Sequence, residues 1–160
     1  MTRLRRIHPI AGIVGLLVIA AFWTSTVIVE LSGNEAAIVL VKRSIPWGFL
    51  VLVPALALAG FSGFRLAPAP RDPRLVRKRR RMPVIALNGI FILAPAALYL
   101  AHLAGQGEFG TTFRIVQGIE LVAGAVNLAL MALNVRDGFD LTRGRRKARR
   151  RASAASAGPT

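Results

Sequence analysis

Residues 9–31 read PIAGIVGLLVIAAFWTSTVIVEL, and the first charge in that stretch is Glu30. An α-helix rises about 1.5 Å per residue, so about 20 residues cross a hydrocarbon layer ~30 Å thick. A helix on a soluble core would carry polar residues along one face. This stretch has almost none before Thr24. Three further segments have the same character, at 45–64, 83–104 and 113–135. The reading is an all-α, polytopic membrane protein: four transmembrane helices arranged as two antiparallel hairpins.

The charges give the orientation. The 160-residue chain carries 22 Lys and Arg against 7 Asp and Glu, for a net charge of +15, at a mean hydropathy of +0.52. In a soluble protein such a balance would suggest nucleic acid. Here the cations cluster at Arg3–Arg6, Arg65–Arg81 and Arg136–Arg151, and only Lys42, Arg43 and Arg114 lie elsewhere. That bias is what the positive-inside rule produces. It places both termini and the basic loop 65–82 in the cytoplasm and excludes nucleic acid as the expected partner. The first segment is too long and too poor in a small-residue cleavage site for a removed signal peptide, so it is expected to be retained. The tail 139–160 is basic and then rich in Ala and Ser, and is expected to be disordered.

Within the loop, Arg77, Lys78, Arg79, Arg80 and Arg81 form the densest cationic run. Its plain role is to fix topology, and its sharper one is contact with anionic lipid headgroups. Lys42 and Arg43 are costly inside a bilayer. They are therefore expected at the outer interface above Trp47, with Ala36–Val41 as an extra turn or two beyond the membrane. Glu30 and Glu35 are the expected counter-charges. Pro54 is expected to kink the second span. Gly12/Gly15 and Gly60/Gly63 are small-residue faces suited to close helix approach.

Polar residues inside the spans are where chemistry could reside. The fourth segment carries Gln117, Glu120, Asn127 and Asn134 at helical spacing; the third carries Asn88, Tyr99 and His102. In an antiparallel hairpin His102 falls level with Gln117, and Tyr99 level with Glu120. Together with Asn88 and Asn127 they are expected to form a buried polar lane. Interhelical hydrogen bonding alone accounts for the amides, but Glu120 at that depth needs a proton or a partner, for which Arg114 is the nearest candidate in sequence. At an offset of 74 residues, Arg5, Arg6, Pro9, Gly15, Ala20 and Gly33 align with Arg79, Arg80, Pro83, Gly89, Ala94 and Gly107, which supports two parallel hairpins.

No metal site or catalytic residue is expected. The chain has no cysteine, no phosphate-binding glycine loop, no nucleophile elbow and no metal-spaced His/Asp/Glu cluster. Haem b is the one cofactor worth weighing, because bundles of this kind often hold it between two histidines. His8 and His102 fall at opposite ends of helices running the same way, so one haem could not use both.

The stretches IHPIAGIVGLLVIAAFWTSTVIVEL, KRSIPWGFLVLVPALALAGFSGFRLA and ELVAGAVNLALMALNVRDG resemble an uncharacterised family of small four-helix bacterial inner-membrane proteins. The resemblance covers the chain to about Gly138. It implies a bacterial inner (cytoplasmic) membrane location and no activity. The expected function is a non-enzymatic accessory or assembly subunit of a membrane complex, with other membrane subunits or further copies of itself as partners. The alternatives are a small transporter, channel or proton-linked carrier using the polar lane, and a haem- or quinone-binding redox anchor.

Overall fold

The computed structural model describes the backbone of residues 2–66 and 73–156, and the side chains of residues 7–63, 65, 80–140, 143 and 144. Among the described residues every element is helical: α1 (Thr2–Ser32), α2 (Glu35–Leu66), α3 (Pro73–Asn88), a π turn (Gly89–Leu93), α4 (Ala94–Gln106) and α5 (Thr111–Ser156). The π turn joins α3 and α4 without a break, so the two form one rod. Among the described residues four stretches are long and apolar enough to cross a membrane: Ile7–Ser32, Glu35–Gly63, Arg80–Gln106 and Thr111–Asp140.

Two glycines close the hairpins. Gly33 and Gly107 have φ of 62° and 73°, a region that costs a glycine little and an L side chain more. After α4, the N–H of Gly107 bonds the Ala104 carbonyl and that of Glu108 bonds the Leu103 carbonyl, a Schellman ending. After α1, the N–H of Gly33 bonds the Glu30 carbonyl. Asn34 then caps α2, its Oδ1 accepting from the Ala37 N–H at 3.1 Å.

The helices pack as a ring: α1 on α2, α2 on α4, α4 on α5, and α5 back on α1, with α3 also against α5. Alanines make up much of the inside, beside larger groups such as Ile38, Leu100 and Phe113. Ala11, Ala55, Ala59, Ala96, Ala97, Ala104 and Ala123 are buried, while Leu17, Leu31, Trp47, Leu50, Phe91 and Val122 are exposed. Large apolar groups on the outside and many small ones within suit a lipid surround, where close backbone approach rather than water exclusion drives association. Gly15 and Gly63 serve that approach: a Cβ at Gly15 would lie 2.9 Å from Leu56, and one at Gly63 2.9 Å from the His8 ring. Gly12 and Gly60 meet nothing within 4 Å.

Three boundaries differ from the sequence reading. α2 starts at Glu35 rather than near Ile45, so Lys42 and Arg43 belong to the span. The basic run from Arg74 to Arg81 is helical, opening α3 behind Pro73. α5 continues through the tail to Ser156. Its Arg-, Lys- and Ala-rich sequence contains no proline before Pro159, and those residues are good helix formers.

Candidate functional site: a buried charge cluster

Among the described residues Lys42 is the largest side chain that is wholly buried, and its ammonium donates to Glu120 Oε2. The two residues come from α2 and α5, on different sides of the ring. Lys42 lies seven residues into α2 and Glu120 nine residues into α5, so the pair sits roughly 10–14 Å below the hairpin ends by helical rise. Gln117, one turn before Glu120, donates from Nε2 to the same Oε2 at 3.2 Å. Glu30, near the end of α1, interacts electrostatically with both Lys42 and Glu120. Its Oε1 and the Oε1 of Gln117 are buried without a hydrogen-bond partner. The cluster thus joins one ammonium to two carboxylates, with two acceptor oxygens unfilled.

This completes the sequence reading of Lys42. Of the expected counter-charges Glu30 does act on it, but its direct partner is Glu120 on α5, towards which it turns inward. Burial against a carboxylate removes the objection to a cation at this depth. Arg114 does not reach Glu120; it is exposed, on an outer groove between the third rod and α5.

The polar lane divides. Asn88, Gln117, Glu120 and Asn127 point inward. Asn88 Nδ2 donates to Asn127 Oδ1 at 2.9 Å and to the Ala123 carbonyl at 2.9 Å, and Asn127 Nδ2 donates to the Ile85 carbonyl at 3.4 Å. Tyr99 and His102 do not join them: Tyr99 is 44% exposed, and His102 is exposed. Leu100, Leu103 and Ala104 face the core instead, packed with Ile38 and Phe113. The cause is the π turn. The Ala94 N–H bonds the Gly89 carbonyl, five residues back. One extra residue in a turn rotates everything beyond it by about 100° relative to a continuous α-helix. Pro95, which cannot donate to the Phe91 carbonyl, follows directly and gives the turn its local reason.

Other polar groups act as ties. Trp23 donates from Nε1 to the Leu121 carbonyl at 2.9 Å, with its ring against Gly124. His8 Nδ1 lies 3.0 Å from the Ala59 carbonyl and 3.1 Å from Ser62 Oγ, so that ring nitrogen serves the α1–α2 contact. The side chains of Arg77, Lys78 and Arg79 lie outside the described residues; Arg80 is exposed, and Arg81 pairs with Asp137 at 2.9 Å. Asn134 is buried with neither side-chain polar atom bonded.

No family model, curated protein or solved structure matches the chain. The resemblance to small bacterial inner-membrane proteins therefore rests on the quoted stretches alone.

Proposed function

We propose that this chain is a multi-pass protein of the bacterial inner membrane with both termini cytoplasmic, and that it works as a small proton-linked carrier without enzymatic activity. The charge bias of the loops supports the orientation. The carrying observation for function is the wholly buried Lys42 shared between Glu120 and Glu30. Replacing a buried ion pair by well-packed apolar residues is often neutral or stabilising, so stability alone is a poor reason for one here. Ionisable residues inside a span more often mark a pathway for protons or ions. With two carboxylates for one ammonium, the cluster has room for one further proton while Lys42 keeps a carboxylate partner.

The test is proton flux into liposomes holding a pH-sensitive dye. The wild-type protein should collapse an imposed pH gradient at least ten times faster than protein-free liposomes. Glu120→Gln should lose that rate while still eluting as a folded species. Equal rates for wild-type and empty liposomes would sink the proposal.

An accessory-subunit role is the second reading, favoured by Gly12 and Gly60. The contacts of His8 with Gly63, Gly15 with Leu56 and Phe22 with Gly48 set the antiparallel register of α1 and α2. In that register Gly12 and Gly60 are level, and both leave backbone bare. A partner helix could approach there. Gly12→Leu and Gly60→Leu should then strip a co-purifying subunit without lowering thermal stability.

A further inference from the structure

We infer that the groove between the third rod and α5 holds one anionic phospholipid of the leaflet on the hairpin-loop side, its headgroup on Arg114. The groove has a volume of about 620 Å³ and is lined by Ile92, Ile115, Ile119, Val122 and Val126, with Gly118 in its floor. All five of those large side chains are between 42% and 68% exposed, so nothing in the fold covers them. Arg114 stands at the loop end. Among the described residues no salt bridge engages it, and it lies three residues into α5, about 5 Å from the helix start, at the depth of the headgroups.

Charge and length both specify the occupant. An unpaired guanidinium at the head of an apolar channel matches a phosphate bearing an acyl chain, and arginine pairs phosphate in a two-pronged fork. From Arg114 to Val126 the channel runs about 18 Å by helical rise, close to the ~15 Å of hydrocarbon in one leaflet. An acyl chain starting at Arg114 therefore ends near the bilayer midplane, beside Asn88 and Ala123. A soluble anion would leave the channel empty, and a zwitterionic lipid would bring its own cation towards Arg114. This site is distinct from the cytoplasmic basic run and does not depend on the proton-linked reading.

Gly118 supplies a clean probe. A Cβ there meets nothing within 4 Å, so Gly118→Phe fills the groove without displacing a helix. The full-length protein, delipidated in mild detergent, would be titrated with phosphatidylglycerol or phosphatidylcholine and bound lipids counted by native mass spectrometry. The wild type should retain one phosphatidylglycerol at least ten times more tightly than phosphatidylcholine. Arg114→Gln should abolish the preference, and Gly118→Phe the retained lipid, with melting temperatures unchanged for both. The inference is overturned if Arg114→Gln keeps the preference, or if only Arg80 and Arg81 variants lose it. It is equally overturned if Gly118→Phe alters the oligomeric state while the lipid count stays the same, which would make the groove a contact between copies.

Discussion

The indole N–H of Trp23 donates to the backbone carbonyl of Leu121, and the ring rests where a side chain at position 124 would be. A Cβ at Gly124 would stand 2.7 Å from Trp23 Cδ1. The contact holds α1 against α5 one turn beyond Glu120. Gly124→Leu should therefore destabilise the protein by about 1–3 kcal/mol, the usual cost of overpacking. Gly118→Ala, on the open side of the same helix, should be neutral or stabilising by up to about 1 kcal/mol. Thermal unfolding in detergent followed by circular dichroism separates the two.

Removing one member of the Lys42–Glu120 pair leaves the other charged and buried. Lys42→Met and Glu120→Leu should each cost about 3–5 kcal/mol, while the double variant should recover most of that loss. A double-mutant cycle measures the coupling. Additive single effects would mean that the two side chains do not meet in the bilayer.

The Asn88–Asn127 contact predicts a smaller number. Paired substitution to leucine should give a coupling of about 0.6 kcal/mol, and no more than about 1.7 kcal/mol, as for other interhelical hydrogen bonds in membranes. Arg81–Asp137 is partly exposed, and Asp137→Asn should change stability by less than about 1 kcal/mol at ordinary salt.

Much of this architecture is legible in the sequence. The four long apolar helices follow from apolar run length. The α5 stripe of Gln117, Glu120 and Asn127 follows from helical spacing, because α5 has no irregularity between them. The outward turn of Tyr99 and His102 is not legible, for the converse reason. A helical phase extended from Asn88 passes through a turn with one residue too many, and Gly89 followed by Pro95 is its signal. The direct partner of Lys42 is not legible because it lies in another hairpin. Glu120 and Lys42 each read as a costly charge in an apolar segment; that each answers the other takes the folded structure to see.

The absence of cysteine makes orientation directly testable. Single cysteines introduced at Asn34 and Glu108 should react with a membrane-impermeant maleimide added to intact cells. A cysteine at Gly144 should react only after the inner membrane is opened. The opposite pattern would reverse the proposed topology.

Lys42 and Glu120 are 78 positions apart. At roughly 5–20 residues per second, a ribosome needs about 4–16 s to make the chain between them. Throughout that interval the first hairpin holds Lys42 with only Glu30 to answer its charge. The newborn protein is thus electrically unfinished until its last helix enters the bilayer. A chain truncated before Glu120 keeps a cation without its direct partner, a mark by which membrane quality control could tell an incomplete copy from a whole one.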